Sequence, residues 1–96
     1  MIYAIEFRPK KFQPQQLNHL RFIPNLEEIQ LSGTSVTDED LAQLLDLPKL
    51  QAVGLNQTSI TDRGIEILSQ SSSLKQILIE GTNVTSEAML EFYSER

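Results

Sequence analysis

The apolar positions of this chain recur at one fixed interval. Leu26, Leu50 and Leu74 stand 24 residues apart, and the same step backwards from Leu26 reaches Ile2. A second column holds Ile5, Ile29, Val53 and Ile77; a third holds Phe7, Leu31, Leu55 and Ile79. Three more follow: Phe12, Val36, Ile60, Val84; Leu17, Leu41, Ile65, Met89; and Leu20, Leu44, Leu68, Phe92. At 40% apolar residues overall, chance rarely fills even two columns of four, so six unbroken columns establish a repeat. Four copies of 24 account for all 96 residues, giving a single domain with repeats at about 2–25, 26–49, 50–73 and 74–96.

Each repeat reads as a strand, a turn and a short helix. Ile29 and Leu31 alternate with Gln30, the period of a strand with one buried face. Val36 turns the chain inward, and Thr37 is placed to cap a helix whose first turn holds Asp38, Glu39 and Asp40. Leu41, Leu44 and Leu45 then have helical spacing. Thr61 and Thr85 repeat the cap; in the first repeat Gln13 precedes Pro14, and proline is tolerated at a first helical position. Ile23-Pro24 and Leu47-Pro48 end their helices. The period predicts four parallel strands at 3–7, 27–31, 51–55 and 75–79, with helices beginning near 14, 38, 62 and 86. No single repeat covers its own apolar face, so the copies must stack.

Leu26-Glu27-Glu28-Ile29-Gln30-Leu31-Ser32-Gly33-Thr34-Ser35-Val36-Thr37-Asp38 and Leu50-Gln51-Ala52-Val53-Gly54-Leu55-Asn56-Gln57-Thr58-Ser59-Ile60-Thr61-Asp62 resemble leucine-rich repeats. More narrowly, they are similar to the bacterial subtype with Gly-Thr-x-Val-Thr-Asp after the strand. The resemblance is clear over 26–92 and weaker over 1–25, where Lys10 replaces the threonine and Pro14 the aspartate. It implies an α/β fold: a right-handed leucine-rich-repeat solenoid of four strand-turn-helix repeats, with a concave parallel β-sheet and helices outside. It also implies a protein-interaction module and carries over no catalytic residues. Thr34, Thr58 and Thr82 stand where many such repeats keep a buried asparagine. Their hydroxyls are expected to bond the turn backbone, since a nucleophilic threonine needs an adjacent base.

Side chains alternating with the buried ones face the concave surface. The first strand offers Ala4, Glu6 and Arg8, the second Glu28, Gln30 and Ser32, the third Ala52, Gly54 and Asn56, and the fourth Gln76, Leu78 and Glu80. Ala52 and Gly54 are expected to leave a shallow notch between Gln30 and Leu78, into which a partner element docks while pairing with Glu6, Glu28 and Glu80. Leu78 is large and apolar at an outward position on the last strand. Either the final helix, with Phe92 and Tyr93, folds over that edge or another chain covers it; self-association through an uncapped terminal repeat is the corresponding expectation.

Charge narrows the partner. Eight Lys and Arg against thirteen Asp and Glu give a net charge of −5, which disfavours nucleic acid and anionic membrane surfaces. The absence of cysteine removes disulfides and thiolate metal sites and fits a reducing compartment; a cytoplasmic location is expected. The apolar runs are too short to span a bilayer, and the start of the chain lacks the pattern of a signal peptide.

Candidate chemistry is sparse. His19 shares its column with Gln43, Ile67 and Glu91, an outer-helix position. Asp38, Glu39 and Asp40 point in different directions on a helix and read as dipole stabilisation rather than a metal site. Ser71-Ser72-Ser73 replaces the Leu-Pro of the second repeat and reads as a flexible return loop. No enzyme activity, cofactor or metal is expected. The sequence predicts a non-catalytic module that binds another protein through its concave face. The alternatives are an inhibitor or immunity-type protein that blocks a partner enzyme, and a substrate-recognition subunit of an enzyme complex.

Overall fold

The computed structural model describes residues 3–94 and Arg96; Ile2, the first member of one apolar column, lies outside them. Four short strands, β1 (Ala4–Glu6), β2 (Glu28–Gln30), β3 (Ala52–Gly54) and β4 (Gln76–Leu78), form one parallel sheet in chain order. Every pairing joins residues 24 apart: Ala4 with Glu28, Ile29 with Val53, Gly54 with Leu78. Strand positions and direction agree with the sequence period.

Helical segments return the chain from each strand to the next. A 3₁₀ turn at Pro9–Lys11 precedes a 3₁₀ helix at Pro14–Phe22, and a second 3₁₀ helix spans Glu39–Asp46. Two α-helices follow, α1 (Asp62–Leu68) and α2 (Ser86–Ser94). All four helices begin within a residue of their expected starts and pack on one another in chain order. The difference in helix type has a reason in the side chains. Leu41, Leu44 and Leu47 are all buried at intervals of three, which a helix of three residues per turn places on one edge. In α1 the buried set is Gly64, Ile65, Ile67 and Leu68, a three-and-four spacing that suits an α-helix.

The columns become layers of one core. Leu26, Leu50 and Leu74, then Ile29, Val53 and Ile77, then Val36 and Ile60 are buried together with Leu17, Leu41 and Ile65 from the helices. The threonine column does what the sequence suggests. Thr34, Thr58 and Thr82 hydroxyls donate to the carbonyls of Leu31, Leu55 and Ile79 at 2.7, 2.7 and 2.6 Å. The residue before each of these threonines sits at positive φ: Gly33 at +75°, Gln57 at 55° and Gly81 at +74°. Gln57 alone adopts this left-handed conformation with a Cβ, at a steric cost of about 1 kcal/mol.

Adjacent units are also tied by hydrogen bonds that local reading of the sequence missed. Asp38 Oδ1 accepts from the Thr61 amide at 2.9 Å, and its Oδ2 accepts from the Thr61 hydroxyl at 2.6 Å. Asp62 makes the same two bonds with Thr85, at 2.8 and 2.9 Å. These carboxylates therefore bridge to the next unit, beyond any effect on their own helix dipole. Pro14 offers no such group to Thr37, which exchanges bonds with Asp40 in its own unit instead.

Two expectations about loops and ends are resolved. Ser71–Ser73 is not a free loop: Ser71 is buried and its Oγ accepts from the Leu74 amide, while the Ser73 hydroxyl donates to the Leu50 carbonyl at 2.7 Å. The hydroxyls anchor a return that Leu47-Pro48 secures by burial and ring stiffness in the preceding unit. At the far edge of the sheet, α2 folds over β4. The Tyr93 hydroxyl accepts from the Ile77 amide at 3.2 Å and donates to the Ile77 carbonyl at 3.4 Å. Phe92 is buried beneath, with the Arg96 guanidinium 4.0 Å from its ring centroid.

Replacing Leu55, fully buried between two neighbouring strands, with Ala should cost about 2–4 kcal/mol. Ile79→Ala, in the half-buried terminal unit, should cost less, and urea melts of the two variants measure the difference. Asp38→Ala leaves the Thr61 amide and hydroxyl without their acceptor and should cost about 1–3 kcal/mol in the same assay.

Candidate functional site

The face of the sheet turned away from the helices carries three rows set by the register. The first is Ala4, Glu28, Ala52 and Gln76; the second is Glu6, Gln30, Gly54 and Leu78. Arg8, Ser32, Asn56 and Glu80 continue the same order just past the strand ends. The first two rows line a shallow trough that crosses all four strands. The sequence-predicted binding residues thus share one face, although not all are free to bind.

The expected notch at Gly54 is filled. The Gln30 carboxamide lies across Gly54, and a Cβ there would stand 2.6 Å from Gln30 Nε2. Gly54 is accordingly buried, and its missing side chain makes room for Gln30 rather than for a partner. A bulky residue at Gly54 must displace Gln30, contrary to the expectation that the surface there is bare. Gln30 is held in turn: its Oε1 accepts from the Ser32 amide at 3.1 Å and from the Ser32 hydroxyl.

The third row continues this network along the rim. The Asn56 amide donates to Ser32 Oγ at 3.0 Å, and the Glu80 amide donates to Asn56 Oδ1 at 2.8 Å. Gln30, Ser32 and Asn56 therefore extend the backbone ladder past the strands. The alternation rule fixed their side of the sheet; it gave no information on which side chains bond to one another.

What remains available in the trough is Glu6, Glu28, Gln76 and Leu78, with Ala4 and Ala52 as its floor and Arg8 and Glu80 at its rim. Glu6, Glu28, Gln76 and Glu80 are exposed, and Leu78 is 42% exposed. Among the described residues the one ion pair joins Arg63 and Glu39 on the helical side, 3.9 Å apart, so these carboxylates are unpaired. His19 is exposed on its helix, and the described residues hold no cluster of His, Cys, Asp and Glu that could take a metal ion.

A parallel sheet in 24-residue register, backed by a row of short helices, makes this a leucine-rich-repeat-like α/β domain, and solved structures agree. One is the leiomodin-1 actin-binding site 2, with a TM-score of 0.64 and 15% identity over 93% of this chain and 60% of that one. Another is the tropomodulin C-terminal domain of Caenorhabditis elegans, also at 0.64, with 14% identity over 98% of this chain and 81% of that one. The chain thus spans about three-fifths of the leiomodin-1 structure. No family model matches the sequence, and no curated protein matches it. At these identities the likeness is one of fold.

Gly54→Ala should displace the Gln30 carboxamide, break its bonds to Ser32 and lower stability by about 1 kcal/mol. In a Gln30→Ala background the same change should cost little. A double-mutant cycle measured by thermal or urea unfolding reads this coupling.

Proposed function

We propose that this chain is a four-repeat leucine-rich-repeat solenoid of the bacterial subtype, working in the cytoplasm. It binds another protein, without catalysing a reaction, through the open face of its sheet. One observation carries the reading: the exposed Glu6 and Glu28 share with Leu78 a trough crossing four strands, Glu80 stands just past its end, and none of the three carboxylates has an ion-pair partner among the described residues. A protein element with basic groups around an apolar anchor matches both features.

The fold neighbours support the class of function. The leiomodin-1 segment is named for binding actin, a protein partner. The partner of the present chain is set by its own trough.

The test is affinity capture from the source organism with three baits: the wild-type chain, a trough variant carrying Glu28→Lys and Leu78→Ser, and a helix-side variant carrying Glu66→Lys and Glu91→Lys. Circular dichroism first checks each fold. The wild type and the helix-side variant should retain the same protein, and the trough variant should lose it. With the captured protein purified, Glu28→Lys alone should slow association, most at low salt. Loss of capture by the helix-side variant alone would place the binding surface on the helices.

A further inference from the structure

The sheet has two outer edges, and the described residues close only one. On β4 the outward amide and carbonyl of Ile77 meet the Tyr93 hydroxyl. On β1 the inner partners of β2 are Tyr3, Ile5 and Phe7. The Tyr3 carbonyl accepts from the Glu27 and Glu28 amides at 2.7 and 2.9 Å, and the Phe7 amide donates to the Gln30 carbonyl at 3.0 Å. By alternation, the amides and carbonyls of Ala4 and Glu6 point away from the sheet.

The same edge leaves apolar surface uncovered. Tyr3 is 51% exposed and Ile5 and Phe7 are half-buried, whereas the equivalents of the last two in the next unit, Ile29 and Leu31, are 2% and 0% exposed. The charge there is opposite to that of the molecule. Residues 1–25 hold Arg8, Lys10, Lys11 and Arg21 against the single acid Glu6, while residues 26–96 hold twelve acids and four bases. Arg8, Lys10 and Lys11 are exposed at the carboxyl end of β1 and form no ion pair among the described residues.

We propose that β1 takes up an extended acidic segment of a partner protein as a fifth strand, running antiparallel to it. Outward backbone groups of Ala4 and Glu6 supply the hydrogen bonds, and apolar side chains of the segment cover Ile5 and Phe7. Carboxylates at the amino end of the segment meet Arg8, Lys10 and Lys11. A second copy of the chain is the poorer occupant, because its own β4 edge is already closed and its β1 edge carries the same positive charge. This edge adjoins the near end of the trough at Ala4 and Glu6 but uses their outward backbone groups rather than the sheet face, so its failure leaves the trough reading standing.

The probe is a capped peptide of two glutamates followed by alternating valine and serine, titrated into the full chain and followed by amide resonances. Shifts and slowed hydrogen exchange should centre on Ala4 and Glu6. Affinity should fall at least tenfold when the glutamates become lysines, when the peptide backbone is N-methylated at alternate positions, or in the Arg8→Glu, Lys10→Glu variant. It should be unchanged by Glu66→Lys, on the exposed side of α1. Equal binding of the lysine peptide, shifts centred on Ala52 and Gln76, or no binding overturns the proposal. So does charge reversal that provokes self-association in sedimentation while leaving peptide affinity unchanged, since the cations would then only guard the edge.

Discussion

No unit of this chain can bury its own apolar row, and the rest of the structure follows from that constraint. A three-residue strand makes too few hydrogen bonds to persist alone, and the helix behind it is too short to hold its shape in water. Each becomes stable only when the next unit, 24 residues on, lays an identical pattern against it. Register is then fixed at 24, because a slip of one residue would turn Ile29 and Val53 outward and Glu28 and Ala52 inward. The rows on the open face are a by-product of that fixed register. Glu6, Glu28 and Leu78 share a surface because the core requires Ile5, Ile29 and Ile77 to share the other.

How much of this was legible in the sequence depends on how each residue is constrained. The six columns were legible because every copy of a stacked unit must supply an apolar group at the same place. Helix starts were legible from Thr37, Thr61 and Thr85. The 3₁₀ character of the second helix has its signal in Leu41, Leu44 and Leu47 at intervals of three, whereas Leu41, Leu44 and Leu45 by themselves have helical spacing and Leu47-Pro48 reads as the helix end. The bridge from Asp38 to Thr61 also had a signal, the Thr-Asp pair recurring at 24. Reading within one unit assigned the carboxylate to its own helix, although it serves the next. The packing of Gln30 over Gly54 had no signal, because alternation gives a side chain its face and leaves its torsions undetermined.

Function divides along the same line. The fold is shared with the leiomodin-1 and tropomodulin structures at 14–15% identity, so it reports how the core is built and little about the surface. The open face is specified by residues the core does not constrain. Several positions that looked available for a partner, Gln30, Ser32 and Asn56 among them, are occupied in stiffening the rim. Their use leaves Glu6, Glu28, Gln76, Leu78 and Glu80 as the free groups of that face, a smaller surface held on a rigid base.

The carboxylate bridges divide the stack unequally. Asp38 and Asp62 each fasten their unit to the one that follows, while the junction between the first and second units has Pro14 where such an acid would stand. That junction rests on strand pairing, on the packing of the first two helices and on apolar groups such as Phe7, Phe12, Leu17 and Leu20. The molecule therefore has a direction of fraying, with the first unit opening at lower free energy than the fastened remainder. Whatever settles against that end acts on this local opening equilibrium, so its occupancy reaches the rest of the stack as added rigidity, without any change of shape.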